Sequence, residues 1–354
     1  MADISLETAV LGLNEAGREL LDAADQLDHF RICAVAGKDP GLLEKLGAQH
    51  QCEVYDDYRQ LLVRGHIDCL LVAAPIHMCD EYLRTAMEQK FNILKPAPLA
   101  RNFEEAAELV RLAAGERVQL AVGNPGRFAP KWQAAHDAFA SGEMEGAFLI
   151  EAHCWVTDEP INPWQSDPKL AGGGVLLHQC YEVIDQIVSN LPLPQQVYAL
   201  TASQAHDKQQ RLYVTEDTAV VTMRFSDTLI ANVVASRRKG AGHNRMFLKV
   251  YGPQKTLTVD EACTLNSSVD GRRDSRQLAG PAERAACVRD MLESFALSVS
   301  NPKEHKLVSG GRQNLRNMAV IEAAYLSART AMPEEPARIL QMAQFQPDDL
   351  QGGL

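Results

Sequence analysis

Residues 9–17 read AVLGLNEAG, a short apolar run that passes into a turn bounded by two glycines. Apolar residues then recur at every third or fourth position through residue 27, which is the spacing of a helix. The next run, residues 30–35, reads FRICAV and is typical of a strand. Together these segments predict one β-α-β unit, in which the two strands lie parallel.

The same alternation continues to residue 123. Residues 67–73 are almost entirely apolar, as expected for a parallel strand that is buried on both faces. Further strands are predicted at 53–55, 91–94 and 119–122, and helices at 39–46, 58–64, 80–89 and 102–114. Six strands with helical crossovers predict a Rossmann fold, a doubly wound parallel sheet that binds ligands at the carboxyl ends of its strands.

The pattern changes after Gly123. Helices are predicted at 130–140, 174–189, 282–300 and 312–330, and strands at 147–155, 196–203, 218–225, 229–236, 245–251 and 256–259. Because most of these strands follow one another without helices, they predict a large, mainly antiparallel sheet. We therefore expect an α/β chain with a Rossmann domain over 1–123, a second α/β domain over 124–340 and a tail over 341–354.

Composition and charge narrow the classes of function. The 354 residues contain 35 Lys and Arg against 46 Asp and Glu, and the net charge of -11 opposes broad binding to nucleic acid or anionic lipid. No apolar run approaches the ~18–20 residues of a membrane-spanning helix, and no basic region precedes an apolar stretch at the amino terminus. The eight cysteines are scattered without a C-x-x-C pair, so we interpret them as reduced thiols of a cytoplasmic protein.

The turn after the first strand partly matches the dinucleotide fingerprint G-x-G-x-x-G. Gly12 and Gly17 occupy its first and third glycine positions. The second position is Asn14, whose side chain would crowd a diphosphate, and Glu15 adds negative charge at a helix terminus that should receive an anion. A nucleotide site and a structural turn that binds nothing are both open interpretations. If crowding is the defect, exchange of Asn14 for glycine should tighten dinucleotide binding.

The end of the second strand bears on the choice of cofactor. NAD sites place a carboxylate there to hold the ribose diol, but this chain has Gly37 followed by Lys38. Loss of the carboxylate and gain of an ammonium group favour a 2′-phosphate, so NADP is favoured over NAD. A solvated loop lysine is the alternative interpretation of Lys38.

Several short blocks along the chain carry a wider resemblance. They are AAP at 73–75, KPAPLA at 95–100, GRFAP at 126–130, GGGVLL at 172–177, EDTA at 216–219 and IEAAYLSAR at 321–329. In order and spacing they resemble the glucose-fructose oxidoreductase / inositol dehydrogenase / MocA (Gfo/Idh/MocA) family over nearly the whole chain. The resemblance implies a Rossmann domain followed by an α/β domain whose open sheet makes dimer or tetramer contacts. It also implies NAD(P)-dependent oxidation or reduction of sugars, cyclitols and their derivatives.

The resemblance also implies catalytic residues, at positions that have changed. Family members use the lysine of an E-K-P segment and the Asp and His of G-G-G-x-L-x-D-x-G-x-H-x-x-D. Here Lys95 is present, the Asp and His positions hold His178 and Glu182, and only the last residue, Asp185, matches. We expect Lys95 to polarise the reacting oxygen and His178 to accept its proton. Glu182, four residues further along a predicted helix, would orient the imidazole.

Binding residues are assigned from their positions and from the resemblance. The cofactor set comprises Gly12, Leu13, Asn14, Glu15, Ala16, Lys38, Ala74, Pro75, His77, Lys95 and Arg127. The substrate set comprises Lys95, Arg127, Trp164, His178 and Glu182. The alternatives are an interdomain ion pair for Arg127 and a packed hydrophobic anchor for Trp164.

Rival interpretations are open for His178 and Glu182. One is a polar pair that lines a pocket which only binds. Another is metal ligation with His153 or Cys180 as a third ligand, although we assign no metal. An apolar site raises a thiol pKa, so Cys180 is interpreted as packed rather than nucleophilic.

The leading hypothesis is an NAD(P)-dependent oxidoreductase that transfers hydride to or from a sugar-like or cyclitol-like alcohol or ketone. The alternative is a noncatalytic relative that binds a small polyol, acid or nucleotide in the same cleft, and metal-assisted lyase or hydrolase chemistry is a third. The expected partners are a small-molecule substrate and a second copy of the chain, in a homodimer or homotetramer. The basic run 237–243 is interpreted as a solvated turn or a subunit contact.

Overall fold

The first sheet has the strand order of a Rossmann fold. The computed structural model describes residues 5–156, 162–203, 214–237, 245–269, 272–346 and 350. The strands are β1 (Leu6–Leu11), β2 (Phe30–Ala36), β3 (Glu53–Tyr55), β4 (Cys69–Val72), β5 (Asn92–Pro96) and β6 (Leu120–Gly123). They pair in parallel in the order β3-β2-β1-β4-β5-β6, so the winding reverses between β1 and β4. The crossovers contain α1 (Glu15–Asp25), α2 (Pro40–His50), α3 (Tyr58–Leu62), α4 (Ile76–Glu88) and α5 (Phe103–Glu116).

The second sheet has eight strands and is mainly antiparallel. They are β7 (Leu149–Trp155), β8 (Gln196–Ala202), β9 (Thr218–Arg224), β10 (Ile230–Ser236), β11 (Arg245–Tyr251), β12 (Lys255–Val259), β13 (Cys263–Val269) and β14 (Arg272–Ala279). Their order is β14-β13-β12-β11-β7-β10-β9-β8, and β7 and β10 are the parallel neighbours.

Helices cover the inner face of this sheet and lead back to the first domain. They are a 3₁₀ helix (Pro125–Phe128), α6 (Pro130–Ala140), α7 (Pro163–Ser166), α8 (Pro168–Ala171), α9 (Tyr181–Asn190), α10 (Arg284–Ser300), α11 (Gly311–Thr330) and α12 (Pro336–Met342). The predicted fold class is thereby confirmed.

Two strands escaped prediction because their apolar alternation is limited to Cys263 and Leu265. β13 reads CTLNSSV and β14 reads RRDSRQLA, and most of β14 is exposed. They form a hairpin at the edge of the sheet, where register is held by main-chain hydrogen bonds more than by burial. Such a strand leaves little trace in a hydrophobic pattern.

The helix predicted over 174–189 begins later than expected. Residues 174–180 form turns, and α9 starts at Tyr181. The side chain of Glu216 accepts hydrogen bonds from the N–H groups of Gly174 (2.8 Å) and Leu176 (3.0 Å). These bonds hold the turn against the segment just before β9. His178 therefore lies in the turn before the helix and not on it.

The division of the chain by residue number differs from the packing in one respect. Val288, Leu292 and Phe295 of α10 share a core with Val10 and Leu71 of the first sheet, so a late helix covers one face of the Rossmann domain. The boundary at 123/124 stays a prediction. Within the described ranges, no helix is both long enough and apolar enough to cross a lipid bilayer.

Candidate functional site

The turn between β1 and α1 is built around two glycines. Gly12 has φ +95°, and a Cβ placed on it would lie 2.7 Å from the carbonyl carbon of Ala73. A Cβ on Gly17 would lie 1.9 Å from the oxygen of Gly12. Both glycines are thus required by the close approach of this turn to its own strand and to the end of β4.

Asn14 caps the first helix and ties it to a neighbouring loop. Its Oδ1 accepts from the N–H of Gly17 at 3.0 Å, and its Nδ2 donates to the carbonyl of Ala73 at 2.6 Å. Both polar ends of the side chain are therefore bonded to the protein. The amides of Glu15 and Ala16, in the first helical turn, lie where helix geometry provides no intrahelical acceptor. These two N–H groups fit an anion at the turn.

A cavity of about 510 Å³ extends from this turn across the ends of β4 and β5 to the second domain. The predicted site residues that line it are Gly12, Leu13, Asn14, Ala16, Ala74, Pro75, Lys95, Trp164 and His178. Those that do not line it are Glu15, Lys38, His77, Arg127 and Glu182. Tyr58 and Cys79 also line it and were not predicted. The cavity thus joins the candidate nucleotide turn to the candidate catalytic residues.

Lys95 is a buried cation at the carboxyl end of β5. Its side chain is directed to the loop that follows, where Nζ donates to the carbonyls of Pro96 (2.8 Å) and Pro98. Burial lowers the pKa of this ammonium group, while Cys79 opposes the shift. Because an ammonium group has three N–H donors, the bonds to Pro96 and Pro98 leave one without a partner among the described residues.

His178 is held in one tautomer. Its Nε2 lies 3.0 Å from the carbonyl oxygen of Ala171, and since a carbonyl can only accept, Nε2 carries the proton and Nδ1 is an acceptor. Burial lowers the pKa of His178 to about 4; the Ala171 hydrogen bond opposes this shift, and the charges of Lys95 and Arg237 add to it. The imidazole is therefore neutral at pH 7.

Trp164 bridges the two domains above the cavity. Its ring centroid lies 5.5 Å from that of His77 on α4 and 6.1 Å from that of His178. The buried Nδ1 of His77 has no hydrogen-bond partner among the described residues, and burial lowers the pKa of this ring. Trp164 is thus a packed anchor as well as part of the cavity lining. The neighbouring residues 157–161 lie outside the described ranges.

The predicted pairing of His178 with Glu182 does not form. Glu182 is on the first turn of α9 and packs against the 3₁₀ helix, where a Cβ on Gly126 would lie 2.1 Å from its Oε1. Burial raises the pKa of this carboxyl group, and Arg284 opposes the shift. The expectation of a shared helix face was wrong, because the helix starts between the two residues.

Arg127 forms an ion pair with Asp185. Its guanidinium group donates to Asp185 through Nε (2.7 Å) and a terminal nitrogen (2.6 Å), and the side chain of Asp185 is fully buried. Asn124 and Asn317 donate to the same carboxylate. Arg127 is therefore held in an ion pair and does not line the cavity, but with the boundary at 123/124 the pair lies within the second domain and not between the domains.

The proposed third metal ligands are also not brought together with His178. His153 stacks on Phe247 on the outer side of β7, with ring centroids 4.5 Å apart. Contact with the Cys154 thiol, followed by burial, raises the pKa of Cys180 well above its ordinary value. In the part of the chain that the structure describes, no three His, Cys, Asp or Glu side chains are grouped to hold a metal ion.

Gly37 and the exposed Lys38 follow the end of β2. A Cβ on Gly37 would lie 2.8 Å from Cδ1 of Leu13, so a side chain at this position would require Leu13 to move. Lys38 is exposed, and its Nζ donates to the carbonyl of Asp56 at 2.6 Å and lies 5.1 Å from the ring centroid of Tyr58. Tyr58, in turn, lines the cavity. Its only sequence signal is its place directly after Asp57, the N-cap of α3.

Comparison with known proteins shows to which family the chain belongs. Residues 6–124 match the model of an oxidoreductase family with an NAD-binding Rossmann fold, and residues 132–258 match the GFO/IDH/MocA C-terminal domain. The chain belongs to the Gfo/Idh/MocA family of oxidoreductases. Its first domain is the family's NAD-binding Rossmann fold.

The relatives are distant in sequence and similar in structure. The uncharacterized oxidoreductase YrbE of Bacillus subtilis is 21% identical over 263 residues, which are 72% of this chain and 74% of that protein. The D-xylose 1-dehydrogenase (NADP(+)) 2 of Haloferax volcanii is 23% identical over 92% of this chain and 98% of its own length. An oxidoreductase from Agrobacterium radiobacter, solved in complex with NAD+, L-tartaric acid and magnesium, superposes with a TM-score of 0.81 at 17% identity. That match covers 95% of this chain and 100% of the other.

Proposed function

We propose that this protein is an NAD(P)-dependent oxidoreductase that transfers hydride to or from a sugar-like or cyclitol-like alcohol or ketone. One observation carries the proposal. A single cavity is lined by the β1–α1 turn, by a lysine with a donor to spare and by a neutral histidine with an acceptor nitrogen.

The cofactor half of the cavity fits a dinucleotide. Gly12 keeps the turn open to a close approach, and the amides of Glu15 and Ala16 are available to a diphosphate. When bound, the nicotinamide ring supplies the hydride chemistry. Lys38, at a strand end where Gly37 takes the place of the carboxylate of NAD sites, supports NADP over NAD, and the Haloferax relative, an NADP(+) dehydrogenase by name, agrees with this preference.

The substrate half supplies a donor and an acceptor for one hydroxyl group. The free N–H of Lys95 is assigned to the reacting oxygen, which it polarises. Nδ1 of His178 accepts the hydroxyl proton as hydride leaves the carbon, and the bond from Nε2 to Ala171 holds the ring in that tautomer. Glu182 has no part in this step, and Arg127 acts by holding the 3₁₀ helix to α9 through Asp185.

Cofactor titration tests the proposal. We expect NADPH or NADH to quench tryptophan fluorescence at micromolar concentration, and Lys95→Ala and His178→Ala to remove far more turnover than cofactor affinity. Equal rates in the wild type and both variants would refute the assigned roles. If neither dinucleotide binds up to millimolar concentration, the noncatalytic alternative, a small polyol, acid or nucleotide bound in the same cleft, replaces the redox assignment.

The outer face of the second sheet supports a proposal about assembly. Large apolar side chains are exposed there, namely Trp155, Tyr198, Leu200, Val220 and Ile230. A second copy of the chain, placed sheet to sheet in a homodimer or homotetramer, would cover them. We also propose a cytoplasmic location, because the cysteines are unpaired. The basic run that begins at Arg237 otherwise lies outside the described residues.

A further inference from the structure

Two short helices of the second domain lead into the turn that carries His178. Helix α7 contributes Trp164 to the lining of the cavity, and α8 ends at Ala171, whose carbonyl accepts from Nε2 of His178. Each helix has four residues. A helix this short is not stable through its own hydrogen bonds. The place of α7, and of the indole that it carries, therefore depends on bonds from other parts of the chain.

The segment just before β9 supplies two bonds to α7. The N–H of Thr215 donates to the carbonyl of Ser166 at 3.0 Å, and the hydroxyl of Thr215 donates to the carbonyl of Gln165 at 2.9 Å. These carbonyls belong to the end of the helix, where C=O groups have no acceptor role within the helix itself. Because Gln165 directly follows Trp164, the hydroxyl bond holds the chain next to the indole.

A neighbouring cation sets the direction of the Thr215 hydroxyl. Nη2 of Arg237, the residue after β10, donates to Oγ1 of Thr215 at 2.8 Å. Since a guanidinium group can only donate, Oγ1 accepts this bond and its own proton is left for the carbonyl of Gln165. Thr215 is 3% exposed and Arg237 9%, so water has little access to the pair. The hydroxyl is therefore fixed both as an acceptor and as a donor.

Trp164 has only ring contacts to hold it at its outer end. Its ring lies at 49° to that of His77 and at 73° to that of His178, with the centroid distances given above. Contacts between rings in such orientations are individually modest. The main-chain anchor at Gln165 is thus needed to fix the indole beside Lys95 and His178, with which it lines the cavity.

The residue after Thr215 has the corresponding role for the catalytic turn. Glu216 accepts from the N–H groups of Gly174 and Leu176, in the turn that carries His178. Two consecutive residues thus hold two walls of one cavity, the indole wall and the imidazole wall. The distance between these walls decides what fits between them.

We propose that Thr215 is a positioning residue for substrate binding, which acts through Trp164 by holding α7 at the carbonyl of Gln165. The inference rests on the proposed function, in which Trp164 lies beside the substrate. Thr215 itself does not line the cavity. Without the hydroxyl, one of its two bonds to α7 is lost and the indole moves, so the substrate binds more weakly while Lys95 and His178 keep their places.

The emission of Trp164 tests the positioning without any substrate. Thr215→Val removes the hydroxyl, and Thr215→Ser is the matched control that keeps it. The chain has three tryptophans, so the difference in emission between each protein and its Trp164→Ala counterpart isolates Trp164. We expect acrylamide to quench this difference emission about twofold or more strongly in the valine variant, and as in the wild type in the serine variant. Equal quenching in the wild type and the valine variant would overturn the inference.

Steady-state kinetics test the consequence for the substrate. The assay uses saturating NADP+ or NAD+ and whichever of D-glucose and myo-inositol the wild type oxidises faster. Thr215→Val should raise KM about tenfold and change kcat and NADPH affinity by less than about twofold, and Thr215→Ser should restore KM. In the Trp164→Ala background, Thr215→Val should change KM by less than about twofold, because the side chain through which it acts is absent. An equal rise of KM in both backgrounds would contradict the inference.

A merely structural role of Thr215 would give a different pattern. The valine variant would then unfold at lower denaturant concentration, with Trp164 quenching and KM as in the wild type, and this result would also overturn the inference. Circular dichroism confirms that each variant is folded. Failure of the folded wild type to bind NADPH or NADH would refute the proposed function. The quenching comparison needs neither dinucleotide, so the two failures are distinguishable.

Discussion

Asn14 is the residue at which sequence and structure lead to opposite expectations. Crowding by its side chain predicts that Asn14→Gly tightens dinucleotide binding. In the structure the side chain caps α1 and holds the carbonyl of Ala73, which belongs to the second loop around the cavity. We therefore expect Asn14→Gly to lower the free energy of unfolding by about 1 kcal/mol and to weaken NADPH binding severalfold.

The matched control for this prediction is Asn14→Ser. Serine can still accept from the N–H of Gly17 but cannot reach Ala73, so it should retain the stability of the cap while losing loop alignment. Denaturant unfolding and NADPH titration separate the two effects. Tighter binding in the glycine variant would restore the crowding interpretation.

His178 sets the acid limb of the pH profile. The folded-state pKa is about 4, below its ordinary value of 6.5, chiefly because the ring is buried. Proton acceptance needs the neutral ring, so kcat/KM should stay level from pH 7 down to about pH 5 and fall as the pH passes through about 4. The same sign applies to stability: the neutral ring stabilises the fold above pH 6.5, and this contribution is lost as the pH falls through about 4. A kcat/KM profile that falls near pH 6.5, whichever substrate is used, would contradict the buried environment assigned to His178.

Sequence reasoning located some site residues and misplaced others for identifiable reasons. Lys95 and His178 were assigned from the family resemblance, as the lysine of the E-K-P segment and the residue at the Asp position of the glycine-rich motif, and both line the cavity. Glu182 and Arg127 were assigned to the cleft, but the orientation of a helical side chain depends on where the helix begins and on which buried partner it meets. A single sequence does not show that α9 begins only at Tyr181, nor that the buried carboxylate of Asp185 needs hydrogen-bond donors.

At the scale of an element, the turn over 172–180 depends on one side chain from a distant strand end. Glu216 accepts from two N–H groups of this turn and from the hydroxyl of Tyr325 (2.8 Å). Glu216→Ala would leave these buried donors without an acceptor, at a cost of about 2–5 kcal/mol in the free energy of unfolding. Because the turn carries His178, we also expect kcat to fall more than cofactor affinity.

Tyr325→Phe is the control for that prediction. It removes one donor and leaves both main-chain bonds to Glu216 intact, so the loss of stability should be about 1 kcal/mol and the turnover should be nearly unchanged. Chemical denaturation and steady-state kinetics of both variants provide the measurement. If the two variants behave alike, Glu216 is not what holds the turn.

Helices and strands could be predicted where their burial is reflected in an apolar pattern of the sequence. Apart from the largely exposed edge strand β3, the first sheet is buried on both faces, and apolar runs in the sequence marked its buried strands. The hairpin of β13 and β14 was missed, because its exposed residues have no reason to alternate. The helix over 284–300 was expected, but its packing onto the first sheet was not, since contact with Val10 across some 280 residues of chain has no local signature.

At the scale of the whole molecule, the prediction concerns how copies assemble. On the outer face of the second sheet, Leu200 is 59% exposed and Val220 37%, and they lie directly opposite each other on β8 and β9. A lysine at either position would place a charge in the proposed sheet-to-sheet contact, where burial of an unpaired charge is costly. We expect the double variant Leu200→Lys/Val220→Lys to sediment as a monomer under conditions in which the wild type is a dimer or tetramer.

Met342→Lys is the matched control, because this methionine is 87% exposed on α12 and lies outside the sheet. The assembly of this variant should equal that of the wild type. A wild-type chain that already sediments as a monomer at high concentration would exclude the sheet contact, and the exposed apolar face would then need another partner.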